Sequence, residues 1–274
     1  MSSVPLIIMA AGISSRMKKS SSSQKMSKNL LDQSNTRVKG YIQVGEGMEP
    51  FIYYLIKNAI NAGIRNFYLI ISDDSKDFQE YLVSLENRLD IILKFTFQDF
   101  YGQDKPLGTS DAIFQTMNQY KELKKGRFLV CNCDNLYSVK AMKLLMSENN
   151  YNSMIAYDYS CLYFSEQRLS SFSILKIKNN FLSKIIEKPG KEIIRHGIEK
   201  KYVSMNIFSF IGPKVYKYLK DCPVNKERGE KELPSAIENM ILDDKESMLT
   251  FNLCEHVPDM TYKDDIERIN NFLN

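Results

Sequence analysis

Apolar runs of strand length alternate with stretches of helical spacing along most of the chain. The first run, Val4–Ala10, predicts a buried strand, and residues 50–62 keep helical spacing up to Gly63, which is typical of a helix C-terminus. The same patterns predict strands at Asn66–Ser72, Asp90–Gln98 and Arg127–Cys133, and helices at Ser75–Leu85 and Thr109–Leu123. Strands that alternate with helices predict an α/β fold with a mostly parallel sheet.

The pattern becomes richer in strands from about residue 151 onward. Strands are predicted at Ser153–Tyr159, Phe172–Ile177, Phe181–Ile186 and Val203–Phe210, and a last helix at Thr261–Leu273. We therefore expect a mixed, partly antiparallel second half, and Phe251–His256 as a further strand. The length of 274 residues suits a single domain, with halves of about 1–150 and 151–274.

Composition narrows the function classes. The net charge of +4 comes from 37 basic and 33 acidic residues that are dispersed, which disfavours a nucleic-acid partner. No stretch has the length and flanks of a signal peptide or a membrane helix, so we expect a cytoplasmic protein without membrane contact. The odd number of cysteines, without framework spacing, predicts reduced thiols; they are Cys131, Cys133, Cys161, Cys222 and Cys254.

One segment, Met17–Gln33, is rich in serine, lysine, glutamine and asparagine and is not patterned for packing. Its composition favours a disordered surface loop. Its position directly after the first strand favours a lid instead, because ligands of open α/β sheets sit at the carboxyl ends of strands. Both interpretations stay open from the sequence.

Small residues follow the first strand and lead to Arg16. Such a loop lets backbone N–H groups approach a polyphosphate, to which Arg16 adds a fixed charge. A dinucleotide fingerprint needs three glycines, and only Gly12 is present, so a Rossmann dehydrogenase fits badly. A tight turn without a ligand is an equally good interpretation of this segment alone.

The strand predicted at Arg127–Cys133 ends at Asp134. A carboxylate at the carboxyl end of a central strand is a suitable ligand for Mg²⁺, which prefers hard oxygen donors. Cys131 and Cys133 do not indicate zinc, because no second cysteine pair is present to complete a structural zinc site.

The stretch IMAAGISSRM at residues 8–17 resembles the signature loop of the sugar-phosphate nucleotidyltransferases. Five more segments resemble motifs of this family, in the family's order, and a late aspartate in FNLCEHVPDMT matches its second metal ligand. The segments are KGYIQVG at 39–45, KPLGTSDA at 105–112, VCNCDNLY at 130–137, IIEKP at 185–189 and VSMNIF at 203–208. The resemblance covers residue 7 to about 261.

This chain departs from the family pattern at several positions. Ser14 stands where the loop commonly has a second glycine and makes the loop less permissive of positive φ. Residues 20–36 look inserted, Gln43 replaces a proline, and Cys133 replaces a glycine.

The resemblance implies a role for each matching residue. Phosphate contacts fall to Arg16 and Lys39, with Lys28 as a rival to Lys39, and the remaining nucleotide contacts to Ala10, Ala11, Gly12, Gln98, Gly108, Thr109 and Asn132. Thr109 can also cap the helix that follows it. Glu187, Lys188 and Asn206 would bind the sugar phosphate, and Asp134 and Asp259 would hold Mg²⁺.

The resemblance also implies a fold and a reaction. They are a Rossmann-like three-layer sandwich and the transfer of a nucleoside monophosphate from an NTP to a sugar 1-phosphate, with release of pyrophosphate. Two alternatives remain, a catalytically silent nucleotide-binding regulatory module and a nucleotide-sugar-dependent glycosyltransferase. The first is disfavoured by the retained charged residues, and the second by the absence of a second aspartate in Asp134-Asn135-Leu136. A homo-oligomer is left open.

Overall fold

A computed structural model of the protein describes residues 4–12, 14–22, 26–72, 75–187, 189 and 201–273. Up to residue 132 the elements are β1 (Leu6–Met9), α1 (Ser15–Lys19), α2 (Lys28–Thr36), β2 (Gln43–Val44), β3 (Glu49–Pro50), α3 (Phe51–Ala62), β4 (Asn66–Ile71), α4 (Lys76–Leu89), β5 (Ile92–Phe97), α5 (Thr109–Gln119) and β6 (Arg127–Asn132). Short 3-10 turns lie at Lys39–Tyr41 and Lys121–Lys124.

The later elements are richer in strands, as the sequence predicts. They are α6 (Val139–Ser147), β7 (Asn152–Asp158), a 3-10 turn (Tyr159–Cys161), α7 (Glu166–Leu169), β8 (Ile174–Lys178), β9 (Phe181–Ile186), β10 (Tyr202–Val203), β11 (Ile207–Ile211), α8 (Gly212–Lys220), β12 (Val224–Asn225), β13 (Glu230–Lys231), α9 (Leu233–Asp243), β14 (Met248–Leu253) and α10 (Asp265–Leu273). None of the described helices is both long and apolar enough to cross a bilayer.

The first of two compact units contains residues 1–98, 131–139 and 257–274. In this unit β4 pairs in parallel with both β1 and β5. The three strand residues Leu6, Ile7 and Ile8 have no exposed surface, which is typical of a parallel strand covered on both faces. Helix α3 ends at Gly63 with φ 102°, so its predicted boundaries are confirmed.

The second unit contains residues 99–130 and 140–256, and its strands form the predicted mixed arrangement. Strand β7 pairs in parallel with β14 and antiparallel with β10 and β11. The strand predicted at Val203–Phe210 is wrong as one element. Asn206 has φ 57°, a left-handed conformation that no strand continues through, and it separates β10 from β11.

The polar segment after the first strand is in part a packed helix. Ser27 accepts a hydrogen bond from Leu30 N and caps α2. The side chains of Gln33 and Ser34 are buried, and Gln33 binds Gln43 through Nε2 at 2.7 Å. The interpretation of residues 17–33 as a disordered loop is therefore wrong for the part that α2 occupies, because composition does not reveal these tertiary hydrogen bonds.

The prediction of five reduced thiols is also wrong. Cys161 and Cys254 form a disulfide, whereas Cys131, Cys133 and Cys222 are free and buried. The two bonded cysteines are 93 residues apart in sequence, so spacing gives no sign of the pair. They meet because each follows the same end of two paired parallel strands, β7 and β14.

Candidate active site

The segment that carries Asp134 lies beside the end of β1. Cys133 N donates a hydrogen bond to Met9 O at 3.2 Å, directly before the small-residue loop. The 3-10 turn Lys39–Tyr41 packs against the same segment, since a Cβ placed on Gly40 would lie 3.5 Å from the side chain of Cys133. Three separate stretches of sequence therefore meet at the carboxyl end of one strand.

Lys39 and Asp134 form an ion pair at this point. Lys39 Nζ donates to Asp134 Oδ2 at 2.7 Å, and the exposed fractions of the two side chains are 10% and 20%. Charges with so little solvent around them interact more strongly than surface charges. Lys28, the rival for the phosphate contact, is exposed at the first residue of α2. The geometry thus favours Lys39 over Lys28 as the lysine of the site.

The two aspartates predicted to bind metal lie on paired backbone segments. Asn135 and Asp259 form an isolated antiparallel bridge. Met260 N donates to Asp134 O at 2.8 Å, and Leu136 N donates to Pro258 O at 2.9 Å. These two hydrogen bonds fix the backbone of Asp134 relative to that of Asp259, although the residues are far apart in sequence.

The segment after Asp259 orients its carboxylate. Thr261 Oγ1 donates to Asp259 Oδ1 at 2.6 Å. Asp265 Oδ2 in turn accepts from Thr261 N at 2.9 Å and from Tyr262 N at 2.7 Å, which fixes the turn that precedes α10. The buried Thr261 is not among the site residues that the sequence predicts. Its position two residues after the aspartate that is predicted to bind metal is the signal that could have revealed it.

The described part of the loop after β1 includes one residue with positive φ, Ser14, shortly before Arg16. Ala10 N donates to Ile70 O at 2.8 Å, so this N–H group continues the sheet and is already engaged. Ser14 adopts φ 56° despite its side chain, so the loop takes the positive φ at the position where serine makes it unfavourable. A left-handed serine costs about 1–2 kcal/mol, a strain that is typical of functional loops. Arg16 is exposed on α1.

Helix α1 is tied to the segment that follows Asp259. The buried Lys263 donates from Nζ to Lys18 O at 3.3 Å and to Ser20 O at 2.5 Å. Ser20 Oγ accepts from Lys263 N at 3.2 Å. The role of Lys263 is not predictable from the sequence, because nothing in the local pattern distinguishes a buried lysine from a solvated one. Through Lys263, the helix that carries Arg16 and the turn that orients Asp259 form one assembly.

The pair of aspartates suits Mg²⁺ in its chemistry. Within the described ranges no group of three or more histidine, cysteine, aspartate and glutamate side chains could hold a metal ion by itself. Mg²⁺ commonly binds through one or two carboxylates and completes its shell with water and substrate phosphates. Asp134 and Asp259 therefore fit an ion that arrives with a nucleotide, rather than a permanent metal centre.

Gly108 and Thr109 lie in the second unit, and the prediction that Thr109 caps α5 is wrong. Gly108 has φ 111°, and a Cβ there would lie 2.6 Å from Lys231 O, so glycine is required by the approach of β13. Thr109 is predicted to cap α5, but its Oγ1 accepts from Leu233 N at 2.9 Å. It therefore caps α9, because this N–H has no partner within its own helix.

The remaining predicted residues differ in their exposure to solvent. Gln98 and Asn132 are half-buried at the ends of β5 and β6, Ala11 is half-buried, and Gly12 is exposed. Glu187 is exposed directly after β9, and Asn206 is exposed in the turn between β10 and β11, where its N–H donates to Ser204 Oγ at 3.2 Å. Lys188 lies outside the described residues.

Comparisons with known proteins agree with this architecture. A model of the family described as nucleotidyl transferase matches residues 27–255. A glucose-1-phosphate adenylyltransferase of Hydrogenovibrio crunogenus is 22% identical over 225 residues, which cover 77% of this chain and 52% of that protein. The chain thus spans about half the length of this curated relative.

A solved structure shows the fold. The crystal structure of a Bacillus anthracis protein, provisionally assigned as a glucose-1-phosphate thymidylyltransferase and bound to sucrose, superposes with a TM-score of 0.73 at 16% identity. The superposition covers 99% of this chain and 95% of the other. The predicted Rossmann-like α/β fold is confirmed by this match.

Proposed function

Because the chain belongs to the nucleotidyl transferase family, we propose that it transfers a nucleoside monophosphate from an NTP to a sugar 1-phosphate and releases pyrophosphate. The observation that carries the proposal is the ion pair of Lys39 with Asp134, held by a backbone bridge beside Asp259. This arrangement places a cation that can bind phosphates next to two carboxylates that can bind a metal ion. The reaction would take place in the cytoplasm, where NTPs are available.

The reaction needs no covalent intermediate with the protein. A phosphate oxygen of the acceptor attacks the α-phosphorus of the NTP, a new P–O bond forms, and the bond to the leaving pyrophosphate breaks. Both reactants are anions, so catalysis consists mainly of positioning and charge neutralisation. When bound by Asp134 and Asp259, Mg²⁺ would neutralise charge on the NTP phosphates as a Lewis acid.

The residues of the chain divide this work. Lys39 and Arg16 would bind the phosphates that leave as pyrophosphate. Lys39 is already oriented by Asp134, so little side-chain entropy remains to be lost when a phosphate binds. Thr261 would keep the Asp259 carboxylate aimed at the ion.

The remaining predicted residues would supply the contacts to the base and the acceptor. Gln98, Gly108, Thr109 and Asn132 are proposed for the nucleotide, and Glu187, Lys188 and Asn206 for the sugar phosphate. Gly108 and Thr109 also have structural roles through β13 and α9, so their substitution would affect folding as well as binding.

A substrate panel tests the proposal directly. Each common NTP is combined with a set of sugar 1-phosphates and Mg²⁺, and pyrophosphate release is measured. We expect one combination to dominate, and Asp134→Asn to reduce its turnover about 10²–10³-fold with an unchanged circular dichroism spectrum. Asp77→Asn, at an exposed position of α4, serves as the matched control with turnover near that of the wild type. Nucleotide binding without pyrophosphate release across the whole panel would instead indicate a regulatory module.

A further inference from the structure

A groove of about 690 Å³ lies on the second unit, outside the candidate active site. One wall is the β8–β9 hairpin and the other is the end of α9 with the turn that follows it. The apolar residues that line it are Phe181, the largely buried Ile241 and the exposed Leu242. Its volume is within the range of ligand pockets, but the groove is partly open to solvent.

Leu242 is the most unusual residue of this surface. Its side chain is 81% exposed, although it lies on a helix whose neighbours Met240 and Ile241 are buried. A second, smaller groove of about 300 Å³ borders the same leucine on the side of Lys217 and Asp243. An apolar side chain thus projects between two concave surfaces, a shape that favours contact with another protein surface.

Charges of both signs line the larger groove. Three lysines and two glutamates contribute, and they are Lys178, Lys184, Lys245, Glu238 and Glu246. Within the described part of the chain, the side chains of these five residues form no ion pair and no hydrogen bond. Lysines alone would favour a small anion in the groove. The two glutamates would repel an anion, so they disfavour that occupant. Lys178 and Lys184 lie on the hairpin wall and both glutamates lie on the opposite wall, so these charges can pair with those of a second copy of the same groove.

The wall of the groove is fixed before any partner binds. The hairpin turns through Asn179 and Asn180, which both have positive φ, as two-residue hairpin turns require. Asn180 O accepts hydrogen bonds from both Thr250 N and Thr250 Oγ1, at 2.8 and 2.9 Å. The ring of Phe181 packs edge-on against Tyr151. A rigid surface of this kind loses little entropy on association.

We propose that this face binds a second copy of the chain in an isologous dimer, with Leu242 of each copy inserted into the groove of the other. In a two-fold arrangement each patch meets its own image, so the lysines of one copy face the glutamates of its partner. The exposed leucines are buried at the centre, and the charges surround them and set the orientation. The association requires no substrate and is therefore independent of the proposed transfer reaction.

Sedimentation velocity across a concentration series tests the dimer. We expect the wild type to be dimeric at micromolar concentration and Leu242→Glu to raise the dissociation constant on the order of 100-fold, because two charges would enter an apolar contact. Val224→Glu is the matched control, since Val224 is an exposed apolar residue of the same unit at 47% exposure, and it should leave association unchanged. Circular dichroism confirms that both variants are folded.

A charge-swap experiment identifies the partner as the same face. One variant carries Lys178→Glu, Lys184→Glu and Lys245→Glu, and the other carries Glu238→Lys and Glu246→Lys. Each should fail to self-associate, whereas an equimolar mixture should form a heterodimer. A monomeric wild type, equal disruption by Val224→Glu, or a mixture that stays monomeric would each overturn the proposal. Phosphate binding by a monomer that is lost only in the lysine variant would assign the groove to an anion instead.

Discussion

The ammonium group of Lys39 lies 2.7 Å from the carboxylate of Asp134, although the two residues are 95 positions apart in sequence. The pair is largely shielded from solvent, and its members come from a 3-10 turn and from the end of β6. Lys39 can bind phosphate oxygens, and Asp134 can bind a metal ion that does the same. The pair is therefore suited to binding a triphosphate. Several expectations about the site depend on this arrangement.

Lys39→Gln should reduce turnover about 10²–10³-fold, because the variant lacks the positive charge that the leaving pyrophosphate requires. Lys28→Gln is the control, since Lys28 is exposed on α2 and should be dispensable. Initial rates of pyrophosphate release for both variants decide between the two lysines. A larger loss for Lys28→Gln than for Lys39→Gln would transfer the role to α2.

Thr261→Val should weaken activation by Mg²⁺ about 10–100-fold, because the variant lacks the hydroxyl that orients Asp259. Valine has nearly the same shape, so the buried site should stay packed. Thr261→Ser retains the hydroxyl and should titrate with Mg²⁺ like the wild type. The measurement is turnover as a function of Mg²⁺ concentration at saturating substrates. Equal curves for the valine and serine variants would remove Thr261 from the site.

The sequence predicts those parts of the fold and site that depend on local chemistry. The limits of α3 follow from apolar spacing and a terminal glycine, and β1, β4 and β6 follow from short apolar runs. Asp134 is predicted because a strand end and a carboxylate are adjacent in sequence. The bridge between Asn135 and Asp259 is not predictable in this way, because it is created by tertiary contact alone.

Polar residues with structural roles are the part that local patterns miss. Thr109 has the pattern of an N-cap for α5, yet it caps α9 more than 120 positions away. Lys263 is buried by three hydrogen bonds to the chain around Ser20, and no periodicity marks it. In each case the partner is distant in sequence, so the residue type predicts a hydrogen bond but not its location.

Gly108→Ala should lower the free energy of unfolding by about 2–4 kcal/mol, because the added Cβ meets the Lys231 backbone and the residue has positive φ. Gly102→Ala separates these two causes. Gly102 also has positive φ, at 73°, but a Cβ there meets nothing within 4 Å, so we expect a loss of only about 1 kcal/mol. Urea unfolding of both variants measures the difference. Equal losses would show that the contact with β13 contributes nothing.

The Cys161–Cys254 disulfide should stabilise the second unit by about 3–4 kcal/mol, because it closes a long loop in the unfolded chain. Urea unfolding with and without dithiothreitol measures this contribution, and the double variant Cys161→Ser, Cys254→Ser should not respond to the reductant. Thiol labelling of the denatured, unreduced protein should modify only the three free cysteines. Five modified thiols would show that the purified protein lacks the bond, the usual state of cysteines in cytosolic proteins.

His256 is expected to make stability depend on pH. Burial, and secondarily the nearby Arg168, lowers its pKa from 6.5 to about 4. Its Nδ1 accepts a hydrogen bond from Tyr163 N at 3.2 Å, which only the unprotonated nitrogen can do. Between these two pH values the unfolded chain binds a proton that the folded chain does not. The free energy of unfolding should therefore be highest above pH 6.5 and should fall as the pH falls toward 4.

The variant His256→Asn separates the contribution of His256 to the pH dependence of stability from the contribution of the carboxylates. Asparagine can still accept from Tyr163 N through Oδ1, but it does not titrate, so the variant should lack this part of the pH dependence. Because His256 is only partly buried, the effect should be moderate. We expect the free energy of unfolding of the wild type, relative to that of the variant, to fall by about 1–2 kcal/mol between pH 7 and pH 4. Urea unfolding at several pH values measures the two curves. Parallel curves over this range would mean that His256 titrates alike in the folded and unfolded chains, and that its contact with Tyr163 does not favour the neutral ring.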